Sequence, residues 1–453
     1  MKFIIALWYG KLINKLVNLI DKSRGSNVAG QHAMKIDPEM IRHFKGIDPE
    51  KVLFITGTNG KSTTNNLINH VLTTNGKKVV TNLEGANLIW GVTTALIKAS
   101  TLSGRVDADY YVFETDERYI GLIREQLPAC NVLITNLQKD QVQRNGDPDF
   151  IMRKFAKMMD GAGMRMFLNN EEPRSRGFDR FASKVVTYGA EKHSRAFMKG
   201  TSYVTMPCPK CHHRISFDFY NNDGVGQFHC THCGNASQPE ADYCAKNADF
   251  EGRTFTIDGV PFTMPLNNPH MLYNYAATAA VAKEMAGISI EDTAKSFETF
   301  HNIGGRDEVL HYQGKTITYM RIKQENPETL QTILNIIAAD PREKMVVLGF
   351  GTVSDFTPYY SNTFYTYDCD WSRIEASHVE SYYCFTEDVC CDAANRLIYE
   401  GVDPSKIIVE DTDSNENLFR AIGNAKTDTV YMITKLHSFE SMEKYIEEHE
   451  GGR

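Results

Sequence analysis

The sequence lacks a basic excess, a disulfide-like spacing of cysteines and a segment able to cross a membrane, and each absence removes a class of function. Lys and Arg number 49 against 57 Asp and Glu, for a net charge of -8, so there is no basic surplus of the kind a general nucleic-acid binder needs. Of the ten cysteines, four cluster and the others (Cys130, Cys244, Cys369, Cys384, Cys390, Cys391) fall singly or adjacent. That is the usage of a cytosolic protein whose thiols are reduced or on metal. The N-terminal stretch MKFIIALWYGKLINKLVNLI opens like a signal peptide, but its apolar run is short, Lys11 and Lys15 interrupt its second half, and no small-residue cleavage site appears. It falls short of the about 20 apolar residues that span a bilayer. Ile4, Leu7, Leu12, Leu16, Leu19 and Ile20 recur near helical spacing, which predicts an amphipathic helix. Two readings of that helix stand: packing against the neighbouring domain, or resting on a membrane surface, which Trp8, Lys11 and Lys15 suit.

The residues that are present are organised around VLFITGTNGKSTTNNL, residues 52–67. Val52 to Ile55 read as a buried parallel strand, and a helical pattern starts at Lys61. The intervening Thr56-Gly57-Thr58-Asn59-Gly60 turns tightly enough for backbone N–H groups and the helix start to face an anion. Thr58, Asn59, Gly60, Lys61, Ser62 and Thr63 are therefore the candidate ATP-binding residues. Lys61 is placed to reach the β- and γ-phosphates and the Ser62 hydroxyl to sit on Mg²⁺. The strict P-loop spacing is not met, since only Thr58 and Asn59 separate Gly57 from Gly60.

At 453 residues the chain is too long for one ordinary core. After a polar loop at 21–30 and a short helix at 37–50, strands (78–82, 109–114, 131–135) alternate with helices (61–75, 88–99, 117–126, 148–160). That pattern implies a doubly wound parallel sheet with ligands at the carboxyl ends of its strands. Two of those ends are polar: Glu114-Thr115-Asp116-Glu117, and Thr135-Asn136 followed by Asp140. They suit the oxygen ligands of a nucleotide-bound Mg²⁺, or ordinary helix capping. A second α/β domain restarts after Gly304-Gly305-Arg306, with strands at 316–321, 344–349, 406–409 and 428–433 and helices at 327–339, 387–400 and 414–424.

Cys208-Pro-Lys-Cys211 and Cys230-Thr-His-Cys233 are two CxxC knuckles with 18 residues between them. Four thiolates on two tight turns make a closed tetrahedral zinc site, structural rather than catalytic because no position is left for water. RISFDF (214–219) and GQFH (226–229) read as the two strands of a ribbon that cannot fold on its own small core. His212, His213, His229 and His232 are nearby substitutes, but the four cysteines are the preferred set. His378, His437 and Cys390-Cys391 offer nucleophile chemistry with nothing to orient it.

TGTNGKSTT, FETDE, TNLQKDQVQRNGDPD, LNNEEP (168–173), HMLYNYAATAA (270–280) and GGRDE (304–308) together resemble the Mur ligase family and, within it, the MurT branch. The resemblance covers nearly the whole chain. It implies a Mur-ligase-like P-loop ATPase domain at 46–300 with an inserted four-cysteine zinc ribbon at 202–240, after an N-terminal helix and linker at 1–45. A Rossmann-like C-terminal α/β domain then follows at 305–453. It further implies that Glu114 binds Mg²⁺, that the Asn274 region faces adenine and that Arg306 touches the nucleotide. Asp355, just past the VVLG strand, corresponds to an acid that handles substrate or ammonia, so Lys61, Glu114 and Asp355 are the expected catalytic set. Asp140-Gln141 replaces the Asp-His of many Mur ligases, which bears on a second Mg²⁺ site, and His270-Met271 replaces the usual His-Asn. The UDP-sugar domain of amino-acid-adding relatives is not expected in the roughly 50 residues before the loop strand.

The function implied is an ATP-dependent amide ligase in peptidoglycan biosynthesis, cytoplasmic or at the inner membrane face. It would activate the α-carboxylate of D-isoglutamate in lipid II as an acyl phosphate. No G-x-C-x-G-like nucleophile elbow occurs, so ammonia is expected from a GatD-type glutamine amidotransferase partner. The alternative from another class is a P-loop ATPase switch acting through its ribbon. It is distinguished by whether ATP turnover depends on a carboxylate acceptor or on nucleic acid.

Overall fold

The computed structural model describes residues 1–20, 25–83, 86–139, 146–198, 206–222, 224–300, 307–322, 326–350, 364–375, 377–386, 389–435 and 439–450. They form two compact units. The first is built from Met1–Gln138, Asp147–Met198 and Met206–Asn302, the second chiefly from Ile303–Arg453.

In the first unit, helices α1 (Lys2–Ile20) and α2 (Gly25–Ile36) precede strand β1 (Val52–Thr56). The chain then alternates through α3 (Lys61–Thr74), β2 (Val79–Thr81), α4 (Ile89–Ala99), β3 (Tyr110–Glu114), α5 (Ile120–Gln126), β4 (Asn131–Ile134), α6 (Pro148–Met159), β5 (Arg165–Asn169), the one-turn α7 (Pro173–Arg176) and β6 (Lys184–Ala190). The ribbon strands β7 (Ile215–Phe217) and β8 (Phe228–Cys230) follow, then β9 (Tyr243–Asp249), β10 (Thr254–Ile257), β11 (Val260–Thr263), α8 (Met271–Ala286) and α9 (Ile290–Glu298). The main sheet runs β11-β10-β9-β6-β5-β4-β1-β3-β2, parallel from β2 to β9, with β10 and β11 antiparallel.

β1 lies between β3 and β4, with Ile55 opposite Glu114 and Thr56 opposite Ile134. The connection from β1 runs past β3 to β2 and the connection from β4 runs the opposite way to β5, the switch-point arrangement that opens a crevice at the carboxyl ends of these strands. All five β1 residues are buried, as a parallel strand covered on both faces requires. Leu53 and Ile55 pack with Leu67, Ile68 and Ala276 of α3 and α8. Val52 and Phe54 pack with Leu96, Phe113 and Leu7 on the other side.

Two local expectations are corrected. The polar stretch 21–30 reads as a loop, yet its end belongs to α2. Residues 37–50 read as a helix but form only the 3₁₀ turns Met40–His43 and Pro49–Lys51. Gly30 allows the first result: a Cβ there would lie 2.1 Å from the Trp90 carbonyl oxygen, so the glycine is what lets α2 close on α4. Pro38, Gly46 (φ +88°) and Pro49 cause the second, since they break an i→i−4 ladder. The sheet also contains β5 and β6, strands that the sequence pattern does not single out.

In the second unit, β12 (Asp307–Tyr312), β13 (Lys315–Ile322), α10 (Pro327–Ala339), β14 (Lys344–Gly349), α11 (Ser372–Glu375), β15 (Val379–Cys384), α12 (Cys390–Tyr399), β16 (Ile407–Val409), α13 (Asn415–Asn424), β17 (Thr429–Lys435) and α14 (Phe439–Glu450) succeed one another. Its sheet order is β12-β13-β17-β14-β15-β16, antiparallel only at β12. Asn326 accepts from the Thr329 N–H and Pro327 takes the first position of α10, a helix start legible in sequence. Trp371 is buried and donates from Nε1 to Thr366 O at 2.9 Å, while Asp370 caps the turn by accepting from Ser372 N at 3.0 Å.

Candidate active site

The loop after β1 is held rigidly by the segment after β4. Thr58 N donates to Asn136 O at 2.8 Å, and Asn59 N to Asn136 Oδ1 at 2.9 Å. Asn136 Nδ2 returns a bond to Asn59 O at 3.1 Å. Gln138 N donates to Thr58 Oγ1 at 2.9 Å, and Gln138 Oε1 accepts from Asn59 Nδ2 at 2.9 Å. Gly57 has φ +124°, and a Cβ there would fall 2.3 Å from Thr135 Oγ1, so only glycine fits against the end of β4. Gly60 caps α3 at φ 83°. The first turn of a helix leaves its N–H groups without intrahelical partners, and here that turn begins with Lys61, Ser62 and Thr63.

Lys61 is 9% exposed. Its Nζ folds back to donate to Gly57 O and, at 3.1 Å, to Thr58 O. An ammonium held on two loop carbonyls is poised at the mouth of the cradle, able to exchange them for phosphate oxygens. Ser62 Oγ donates to Glu114 Oε2 at 2.7 Å. Neighbouring ligands around an octahedral Mg²⁺ sit about 2.9 Å apart, so this oxygen pair fits a shared metal with a small adjustment. Glu114 is itself fixed: its N–H donates to Asn82 Oδ1 at 2.8 Å, and Asn82 Nδ2 donates to Glu114 O at 2.9 Å.

Two further acids share this strand end. Burial pushes the Glu117 carboxyl above its usual range, opposed by Lys61. Burial would also raise Asp116, but the Arg118 guanidinium at 2.8 and 2.6 Å outweighs it and holds the carboxyl low. Behind the site, Glu172 is fully buried, pushed up to about 7 by burial, and accepts from Ser175 N at 2.6 Å and Leu137 N at 3.4 Å. Asn274, in the first turn of α8, lies against Gly60, whose missing Cβ would sit 2.7 Å from Asn274 Oδ1.

The structure thus brings Thr58, Asn59, Gly60, Lys61, Ser62, Thr63, Glu114 and Asn274 together. Arg306, Asp355, Asp140 and Gln141 lie outside the described residues. Asn82 and Gln138 frame the site without any signal in the sequence pattern, whereas Asn136, legible as a polar strand end, holds the loop backbone. Replacing Asn136 by Ala removes two hydrogen bonds worth about 1 kcal/mol each. ADP affinity measured by calorimetry should fall about tenfold or more, with the melting temperature lowered by a few degrees; unchanged affinity would show that the loop holds itself.

The cysteine centre is equally well formed. The Sγ atoms of Cys208, Cys211, Cys230 and Cys233 all lie within 4.8 Å of one another, with 3.6 Å between Cys208 and Cys233 and 3.5 Å between Cys211 and Cys230. Four thiolates about 2.3 Å from one Zn²⁺ would be about 3.8 Å apart, so the set fits zinc. The His232 N–H donates to Cys230 Sγ at 3.4 Å, a contact that favours the thiolate a metal ligand needs. His213 and His232 stack at 3.8 Å and form a second, more exposed trio with Cys211. In the second unit, burial pushes the Cys384 thiol up to about 12 and raises Cys390 as well, the wrong direction for a nucleophile.

The Mur ligase middle domain family matches residues 55–208, the loop, both polar strand ends and the first cysteine, and the MurT ligase C-terminal family matches residues 324–438. The chain belongs to the Mur ligase family. It is 27% identical over 377 residues to the lipid II isoglutaminyl synthase (glutamine-hydrolyzing) subunit MurT of Staphylococcus aureus (strain COL), covering 83% of each chain. It is 24% identical over 331 residues to the corresponding subunit of Streptococcus pneumoniae, covering 70% of each. The fold matches a pseudomurein peptide ligase type C from Methanothermus fervidus at TM-score 0.67 and 18% identity, over 94% of this chain and 85% of that one. It also matches the MurF ligase of Thermotoga maritima in complex with ADP at TM-score 0.56 and 16% identity, over 93% and 85%. As a Mur ligase the chain is a C–N bond-forming enzyme of peptidoglycan synthesis, from a family that uses ATP and Mg²⁺.

Proposed function

We propose that this chain is the synthetase subunit of a two-chain enzyme that amidates the α-carboxylate of D-isoglutamate in the lipid II stem peptide. The observation that carries the reading is a phosphate cradle with Lys61 and the Ser62–Glu114 pair, in a chain whose C-terminal part matches the MurT ligases. ATP binds with its phosphates on the loop and the first turn of α3. Ser62 and Glu114 would hold Mg²⁺, which would supply neutralisation of phosphate charge. The substrate carboxylate oxygen attacks the γ-phosphorus, the bond to the ADP oxygen breaks, and Lys61 donates to the oxygens on which charge develops. Ammonia nitrogen then attacks the acyl phosphate carbon, phosphate leaves, and one ammonia proton is lost to solvent or a base.

A GatD-type glutamine amidotransferase supplies the ammonia, and the work is done at the inner face of the membrane, where a lipid-linked acceptor is found. Asp355 handles substrate or ammonia, and Arg306 contacts the nucleotide. Asp355→Asn should cut amidation about a hundredfold without weakening ATP binding; unchanged turnover returns it to a loop residue. The cysteine centre holds a structural zinc.

The test is amidation of lipid II with ATP, Mg²⁺ and glutamine, with and without a GatD-type subunit, read by mass spectrometry as replacement of hydroxyl by amine. Product only with the second subunit supports the reading. ATP hydrolysis without product in either case favours a switch ATPase.

A further inference from the structure

Helix α1 is built inside out for a helix on a water-facing surface. Its inner stripe is small and tightly seated: Ala6 and Leu7 are fully buried, and a Cβ on Gly10 would lie 2.7 Å from Ile97 Cδ1. Lys11 also points inward, with Nζ donating to Ile97 O at 2.6 Å and Ser100 O at 2.5 Å at the end of α4. The large apolar residues are on the outside. Ile5, Trp8, Leu12, Leu16 and Leu19 are 54%, 55%, 55%, 51% and 76% exposed, at the i, i+3, i+4 spacing of a single stripe. Trp8 Nε1 is already satisfied by Leu102 O at 2.9 Å, and Leu102, itself 65% exposed, extends the patch. Isolated exposed apolar residues are ordinary, whereas a contiguous stripe marks an interaction face.

We propose that this stripe seats the protein on an anionic lipid surface, with α1 lying in the plane of the headgroups. The charges select that occupant. No acidic residue occurs in Lys2–Ile20, and Lys2 and Lys15 are exposed beside the stripe, in a chain whose overall net charge is -8. An anionic membrane therefore repels most of the molecule and attracts this helix, which sets its orientation. A half-exposed tryptophan with its N–H already bonded can enter the interface without stranding a donor. None of the described helices is long and apolar enough to cross the bilayer, so α1 rests on it. The choice of lipid rests on the lipid-linked acceptor proposed above; the stripe itself does not.

The test uses the full chain and vesicles of phosphatidylglycerol or of phosphatidylcholine, without substrate. Co-sedimentation is expected with phosphatidylglycerol, weaker with phosphatidylcholine and reduced by salt, together with a blue shift of tryptophan emission. Trp8→Phe should abolish the shift while most binding remains, because Trp90 and Trp371 stay in place. The double variant Leu12→Glu, Leu16→Glu should bind about a hundredfold less or weaker still, with unchanged melting temperature and unchanged amidation of detergent-solubilised lipid II. Equal binding by the double variant, no binding to phosphatidylglycerol, or a dimer by light scattering that the double variant converts to monomer would overturn the proposal. A chain that amidates lipid II in detergent yet ignores vesicles sinks only the anchor. One that binds vesicles and amidates nothing sinks only the enzymatic reading.

Discussion

Lys61→Ala is expected to lower ATP-dependent amidation about a thousandfold while the chain stays folded. A single preorganised donor to developing transition-state charge is worth about 10²–10³ in rate, and Lys61 is the cation bonded to the loop carbonyls of Gly57 and Thr58. The structural cost is smaller. Two hydrogen bonds to backbone carbonyls are lost, about 1 kcal/mol each, offset by no longer burying an ammonium that is 9% exposed. At about 2–4 °C per kcal/mol in a domain of this size, the melting temperature should fall by a few degrees at most. The loop keeps its hydrogen bonds to Asn136 and Gln138, so ADP should still bind, more weakly. Turnover within a few fold of the parent, with normal folding, would remove Lys61 from the chemistry. Loss of folding would leave the question to Lys61→Arg, which keeps the charge but changes its shape and reach.

The strand–loop–helix at 52–67 is legible because three signals coincide there: an apolar run, two glycines and a resumed helical period. All three are local. The features that escape a reading of the sequence are set by tertiary contact. Gly25, Ser26 and Gly30 have loop propensities, and α2 is a helix because Gly30 admits the Trp90 carbonyl at a distance no side chain allows. Thr135-Asn136 reads as a strand end near a metal, but Asn136 spends its side chain on the Asn59 backbone. An asparagine that holds a loop across 77 residues of chain leaves no periodicity to read. Asn274 shows the same limit: the sequence offers an alanine-rich helix, and only packing reveals that its first turn closes against Gly60. The acidic end of β3 shows the opposite case. Glu114 is legible as a strand-end acid, and its bond to Ser62 completes the pair.

Cys208→Ser should release the metal and unfold the ribbon. Two strands of three residues each, β7 and β8, carry it, around a core of Cys208, Ile215, Phe228 and Cys230. So small a core cannot by itself offset the entropy of ordering the ribbon, and metal binding contributes folding free energy in small sites of this kind. Serine is a poor zinc ligand at neutral pH, so the variant should keep well under half of the zinc found in the parent by elemental analysis. The damage should spread to where the ribbon docks: Lys210 pairs with Asp179 at 2.9 Å, and Gly226 N donates to Glu171 O at 3.0 Å, one residue from the glutamate that supports Leu137. Limited proteolysis should therefore cut between Met206 and Gln238 in the variant and spare the parent, and ADP affinity should fall by a factor of a few through the Glu172–Leu137 contact. A parent protein without zinc, or a variant that resists protease equally, would mean that the four thiols hold no structural metal.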